Sequence, residues 1–197
     1  MESNFYAMIS RMKLIERWSL MRNSRPENLS EHSLEVSMLA HALAVISNER
    51  FGNNLDVEKA ALIGIYHDAS EIITGDMPTP IKYFNENIQE AYKEVEKHAS
   101  VKLYNMLPDY MKKSYEDIFF PKKEDEYLWK LVKAADKLAA LIKCIEEEKA
   151  GNTEFISAKK SIRKIIDDMQ LKEVEVFIEE FLPAYSKTLD ELNQKMI

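Results

Sequence analysis

Four side chains in this sequence have the types that hold a transition metal: His32, His67, Asp68 and Asp136. Two neutral imidazoles and two carboxylates make a mixed nitrogen and oxygen donor set that suits Mn, Fe, Co, Ni or Zn. On an ion that takes six donors, this set leaves positions open for water and substrate. A metal held this way lowers the pKa of a water molecule and polarises a phosphoryl oxygen. Glu71 follows one helical turn after His67, near enough to carry a proton without itself being a ligand. At about 100° per residue, His67, Asp68 and Glu71 fall within one arc of roughly 100° on a helix. Such a cluster inside an apolar segment needs a charge partner or a metal.

Three helices must bring these residues together. The first is expected to start in Asn28-Leu29-Ser30-Glu31, with Ser30 as N-cap, and to run to Arg50. On it His32 shares a stripe with Val36, Leu39 and Leu43, which turns the imidazole inward. Asp56 caps the second, which carries Ala60, Leu62 and Ile63 into His67 and Asp68. The third covers residues 125–149, where Asp136 interrupts a stripe of Leu128, Val132 and Ala139. Gly75 ends the second segment, and Pro78-Thr79-Pro80 makes a stiff loop over the same face.

The remaining elements also read as helices. Phe5, Met8, Ile9 and Met12 give an amphipathic helix over residues 4–13. A long polar-faced helix is expected over 86–106, then a shorter one started by Pro108. Two more follow over 154–169 and 171–193, the last kinked or broken by Pro183. With no repeat, linker or strand alternation, the expectation is a single compact all-α domain over 1–197. Its metal-site core spans about 28–145, with the N-terminal and C-terminal helices packed on it.

Composition narrows the function. The net charge is -7 and there is no long basic run, so a nucleic-acid polymer is not the expected partner. A small phosphorylated substrate needs only a metal and one or two cations. The single cysteine, Cys144, excludes an internal disulfide and reads as packing on a helix. No signal-peptide core or bilayer-spanning run is present, so the expected location is the cytoplasm, with no membrane partner.

Taken singly, the candidates have ordinary readings. His32 could be a satisfied core histidine, Asp136 could pair with Lys133 or Lys137, Arg17 could form a surface ion pair, and Trp18 could be simple packing. Together, H…HD…D on three helices matches the metal-binding pattern of the HD-domain phosphohydrolases. Further matches are Arg17-Trp18, Ser30-Glu31-His32-Ser33-Leu34, Tyr66-His67-Asp68-Ala69-Ser70-Glu71, the run from Thr74 through Gly75-Asp76-Met77-Pro78-Thr79-Pro80 to Phe84, Lys143-Cys144 and Ala150-Gly151-Asn152. Over nearly the whole chain this resembles the bacterial HD-domain 5′-deoxynucleotidases.

That resemblance implies an all-helical homodimer that hydrolyses 2′-deoxyribonucleoside 5′-monophosphates to deoxynucleoside and phosphate. It implies that His32, His67, Asp68 and Asp136 hold one divalent transition metal, with cobalt, manganese or copper as activators. Arg17 would orient the substrate and Trp18 line the nucleotide pocket. Asp76, Met77, Pro78 and Thr79 would contact the substrate, with His32, Asp68 and Asp136 also touching it, and Glu71 would be needed for turnover. The bottom-up chemistry agrees, since the Arg17 fork suits a phosphate and phosphoryl transfer needs mainly positioning and charge neutralisation.

Two alternatives stand beside this reading. One is an HD phosphohydrolase acting on a cyclic dinucleotide or guanosine alarmone, although Ile72 stands where alarmone hydrolases carry a second acid after Glu71. The other is a catalytically silent helical module that binds nucleotides. Among the remaining residues, Lys82 could reach a phosphate from the loop, His41 is expected in the core with Leu34 and Met38, and His98 is expected at the surface.

Overall fold

In the computed structural model the first of the three site helices, α2 (Leu29–Phe51), packs along α3 (Val57–Tyr66) and α8 (Glu126–Lys149). Residues 2–82 and 84–193 are described; Met1, Tyr83, residues 194–197 and the side chain of Thr79 lie outside the described residues. The all-helical expectation holds, and among the described residues the one β pairing is an isolated antiparallel bridge between Glu16 and Asn28. The main core joins Leu39 and Leu43 of α2, Ile63 of α3, and Leu131, Leu138 and Ile142 of α8.

The approach of α2 to α3 depends on a glycine. A Cβ built on Gly64 would lie 2.7 Å from the Cα of Ser37, closer than real side chains sit. Ser37 Oγ also donates to the Ala61 carbonyl at 2.8 Å. This contact brings the His32 and His67 ends of the two helices within reach. At the far end of α3, Lys59 pairs with Asp125 at 2.6 Å and ties α3 to the start of α8.

The start of α2 differs from expectation. Its N-cap is Asn28, not Ser30: the Asn28 side chain accepts from the backbone N–H of Ser30 and Glu31, and Glu31 returns a bond to the Asn28 N–H. Asn reaches these donors as well as Ser does, and Glu31 then falls three residues after the cap, which completes a capping box. Asp56 caps α3 as expected, accepting from Lys59 N at 2.8 Å. His41 is a second correction. It is exposed, and Leu34 and Met38 of its stripe are each 59% exposed, because α2 buries the stripe of His32 and Val36 instead.

The second site segment is not one continuous helix. α3 stops at Tyr66, residues 67–70 form a turn, and α4 (Glu71–Thr74) is a single turn ended by Gly75 at φ +73°. Then come α5 (Thr79–Lys82), α6 (Glu86–Tyr104) and α7 (Asp109–Phe119). The N-terminal α1 (Phe5–Ile9) tightens into a 3₁₀ turn, Ser10–Leu14, and anchors a second apolar cluster. In it the Phe5 ring meets Tyr66, Tyr115 and Phe119 at centroid distances of 6.4, 5.5 and 6.1 Å.

The C-terminal region packs on α8 through α9 (Ile156–Asp168) and on α2 through α10 (Lys172–Glu180). The helix expected over 171–193 is broken. A 3₁₀ turn, Leu182–Ser186, carries Pro183 at its start and separates α10 from α11 (Leu189–Asn193). The missing N–H of a proline and its ring clash account for the break.

Candidate active site

His32 sits in the first turn of α2, fully buried, and its ring centroid lies 5.4 Å from that of His67. Its Nε2 is 3.2 Å from Asp136 Oδ1 and 3.7 Å from Asp68 Oδ2. His67 stands at the C-terminal end of α3, with Nδ1 2.8 Å from the Gly64 carbonyl. A carbonyl only accepts, so Nδ1 carries the proton and Nε2 presents a lone pair. That Nε2 is 2.9 Å from Asp68 Oδ2.

One ligand atom from each of His32, His67, Asp68 and Asp136 lies within 4.8 Å of the others. The buried Nε2 atoms of both histidines have no hydrogen-bond partner. Orphaned buried nitrogens facing two carboxylates fit a divalent metal, and the N₂O₂ donor set is that of a first-row ion.

The protonation pattern agrees with this donor set at His32, Asp68 and Asp136, while His67 is drawn toward the protonated form by Asp68. Burial and the Arg17 charge push the His32 pKa down, keeping the ring neutral. Burial alone would lower the His67 pKa, but the Asp68 carboxylate outweighs it and raises it. Burial works to raise the Asp68 pKa, yet the His67 ring draws it down to about 2. Asp136 is likewise held well below the usual carboxylate range by Lys137 and His32 against the effect of burial. Lys137 Nζ lies 2.8 Å from Asp136 Oδ2, one of the pairings open from sequence, while the other Asp136 oxygen faces His32.

Glu71 behaves differently. It is 4% exposed, its Oε2 has no hydrogen-bond partner, and burial beside Asp68 and Asp76 pushes its pKa up to about 9. It therefore holds a proton at neutral pH. Sequence spacing had put Glu71 on one helix with His67 and Asp68. Here the turn at 67–70 separates them, so Glu71 begins α4.

Arg17 and Trp18 approach from the segment after the 3₁₀ turn. Arg17 Nη1 is 3.7 Å from Asp68 Oδ2, and its side chain is 11% exposed. Burial opposes its charge, but Asp136, Asp68, Glu27 and Asp76 together keep it firmly protonated. Trp18 takes a left-handed backbone, φ +57°, a strain worth about 1–3 kcal/mol that surrounding contacts must hold. Its ring packs 5.2 Å from that of Phe155, and its Nε1 donates to Glu27 Oε2 at 3.0 Å.

The loop over the site is anchored from α6. Tyr92 Oη donates within reach of Thr74 Oγ1 at 3.3 Å and the Gly75 carbonyl at 3.2 Å. Lys82 Nζ pairs with Glu96 at 2.9 Å and lies 5.0 Å from the Tyr92 ring centroid. Asp76 is half-buried, its pKa raised by burial against the pull of Arg17. Met77 and Pro78 are half-buried beside it, and the expected Thr79 side-chain contact falls outside the described residues.

A family model described as 5′-deoxynucleotidase YfbR-like matches residues 4–185. The chain belongs to this family. A 5′-deoxynucleotidase of Erwinia tasmaniensis is 48% identical over 195 residues, covering 99% of this chain and 98% of that protein. An HD-domain phosphohydrolase from Listeria innocua is 22% identical and superposes with a TM-score of 0.78, covering 92% of this chain and 88% of that one. The cyanophage S-2L HD phosphohydrolase, solved with dA and one catalytic Zn²⁺ ion, is 19% identical with a TM-score of 0.63, covering 92% of this chain and 96% of that one. At those identities the solved structures establish the HD fold.

Within this YfbR-like fold, sequence reasoning missed Glu27, Tyr92 and Glu96. Glu27 stands ten residues from Arg17 in a non-helical segment, so no periodicity links them. Tyr92 and Glu96 look like ordinary polar-face residues of a surface helix until the loop is folded back onto them. His98 is exposed as expected, and Cys144 is buried, its thiol pushed up to about 12 by burial.

Proposed function

We infer that this protein is a metal-dependent 5′-deoxynucleotidase, a phosphoric monoester hydrolase that converts 2′-deoxyribonucleoside 5′-monophosphates to deoxynucleoside and phosphate. The observation that carries this reading is the buried His32–His67–Asp68–Asp136 cluster, with the Arg17 guanidinium on one side and a protonated Glu71 nearby. The relatives' activity and the family model point the same way.

A divalent metal held by those four residues supplies Lewis-acid activation of water and of a phosphoryl oxygen. Arg17 offers its fork to the phosphate and offsets its charge. Trp18, its ring tilted at 57° against Phe155, walls the nucleoside side. Glu71 holds its proton in a buried pocket and delivers it to the departing 5′-oxygen, so that the nucleoside leaves as an alcohol. Asp76, Met77 and Pro78 close the site from the loop. Rejection of a 2′-hydroxyl follows if that enclosure leaves it without a partner, at a cost of roughly 1–3 kcal/mol.

Cobalt, manganese or copper is the proposed activating metal, and the N₂O₂ donor set accommodates any of them. A homodimer is part of the same reading, supported by the exposed Leu34 and Met38 on α2. So is a cytoplasmic location, supported by a free, buried Cys144; no helix among the described residues is long and apolar enough to cross a membrane.

The deciding experiment is phosphate release from ribo- and deoxyribonucleoside 3′- and 5′-monophosphates, each tested with several divalent metals. Deoxyribonucleoside 5′-monophosphates should be cleaved, with 3′-monophosphates and ribonucleotides poor. Equal kcat/KM for dAMP and AMP would remove the deoxy preference, and turnover of an alarmone or cyclic dinucleotide alone would favour the other HD chemistry.

A further inference from the structure

We propose that Glu27 is a positioning residue for the substrate pocket, one carboxylate oxygen setting Arg17 and Trp18 as a single unit. This rests on the reading of Arg17 and Trp18 as substrate contacts. Glu27 Oε2 accepts from Arg17 Nε at 3.1 Å and from Trp18 Nε1 at 3.0 Å. The Arg17 and Glu27 side chains are only 11% and 12% exposed, so the shared oxygen has little competition from water. A charge-assisted bond in such a setting is roughly twice as strong as a neutral one.

Each of the two partners needs this anchor for its own reason. Arg17 is surrounded by the carboxylates of Asp136, Asp68 and Asp76. Without a counter-charge on its outer side, the guanidinium would move onto Asp68, whose Oδ2 already lies 3.7 Å from Nη1. It would then neutralise a metal ligand instead of meeting a phosphate. Trp18 has a backbone conformation that non-glycine residues rarely take, so its indole is placed by contacts and not by local preference. Those contacts are the Phe155 ring and Glu27.

The main chain of Glu27 is held independently of its side chain. Arg17 N donates to the Glu27 carbonyl at 3.0 Å, Leu29 N donates to Ile15 O at 2.9 Å, and Glu16 bridges Asn28. A change of the Glu27 side chain should therefore leave the segment and the α2 cap in place. The same pairing joins the Arg17–Trp18 segment to the helix start that carries His32.

The test uses full-length protein carrying Trp129→Phe, which leaves Trp18 as the one indole of the two in the chain. Glu27→Met removes the acceptor and the charge; Glu27→Gln keeps an acceptor for Trp18 and loses the negative charge that faces Arg17. At saturating metal, Glu27→Met should lower kcat/KM for a deoxyribonucleoside 5′-monophosphate about 10²-fold, the scale of an ångström-level misplacement. Trp18 emission should shift and become more open to acrylamide quenching. Glu27→Gln should keep an emission close to the parent while kcat/KM falls by roughly tenfold.

A structural role is separated by repeating Glu27→Met in an Arg17→Ala, Trp18→Phe protein, where it should change kcat/KM by less than about threefold if it acts through those two residues. Unchanged emission and kcat/KM in Glu27→Met would overturn the proposal, as would the same loss in both backgrounds. Full activity in the Arg17→Ala, Trp18→Phe protein would overturn the substrate reading itself; an emission change persisting in Glu27→Met would mark that as the failed step.

Discussion

The carbonyl oxygen of Gly64 lies 2.8 Å from Nδ1 of His67, and the same glycine lets α3 approach the backbone of Ser37 on α2. One residue thus sets both the tautomer of a histidine in the candidate metal cluster and the distance between the helices that carry the two imidazoles. Gly64→Ala would place a Cβ 2.7 Å from Ser37 Cα, and neither helix backbone can yield cheaply. Overpacking of this kind costs about 1–3 kcal/mol. Urea unfolding should show that loss, with metal content reduced as His67 is displaced. Unaltered stability and metal content would mean that the helices adjust freely.

Removal of Asp136 tests the proposed metal centre. Asp136→Ala leaves the buried His32 Nε2 without its carboxylate neighbour at 3.2 Å. Metal analysis should show a sharp drop in bound ion, and phosphate release should fall with it. In the parent protein EDTA should abolish turnover and a first-row divalent ion should restore it. Full activity in thoroughly stripped protein would exclude metal catalysis here.

Glu71→Gln distinguishes proton transfer from metal binding. Gln has the shape of the protonated acid that burial favours at this position. Metal content and substrate binding should stay near those of the parent, while kcat falls by roughly 10²-fold or more. Stability gives an independent readout. The Glu71 pKa is raised in the folded state to about 9 from an ordinary 4.5, so between those values the folded state pays to keep its proton as pH rises. At pH 7 the metal-stripped Glu71→Gln protein should therefore be at least as stable as the parent. Parallel loss of metal and activity would make Glu71 a ligand.

Acid stability should depend on Glu147, which is 1% exposed. It accepts from Lys143, from the N–H groups of Ser24 and Arg25, and from Asn152. Burial works to raise its pKa, but Lys143 and the other donors bring it to about 2 against an ordinary 4.5. A depressed folded-state pKa contributes stability that is present above about pH 4.5 and lost as pH falls toward 2. Glu147→Gln should be clearly less stable than the parent at pH 7, by about 3 kcal/mol at most, and the gap should shrink by pH 3. A gap of constant size would assign the effect to packing instead of charge.

The residue types of the site were legible in the sequence because each interrupts a helical pattern. His32 and Asp136 break apolar stripes of α2 and α8, and both prove to face the cluster. The Gly75 break and the helices at 86–104 and 126–149 follow from local chemistry alone, since a helix stop or an apolar stripe needs no distant partner. His41 shows the limit: periodicity identifies stripes but not which stripe a neighbouring helix will cover, and α3 and α8 cover that of His32.

Tertiary structure alone decided the rest. The turn at 67–70 moved Glu71 off the helix of its neighbours, and its high pKa comes from burial beside Asp68 and Asp76, which no spacing contains. The need for glycine at 64 comes from the backbone of Ser37, brought there by the crossing of two helices. Glu27 meets Arg17 and Trp18 because two non-helical segments pair. Local sequence determines which residues prefer which element, since its forces act within a few positions; burial, charge proximity and tautomer depend on atoms that only the folded chain brings together.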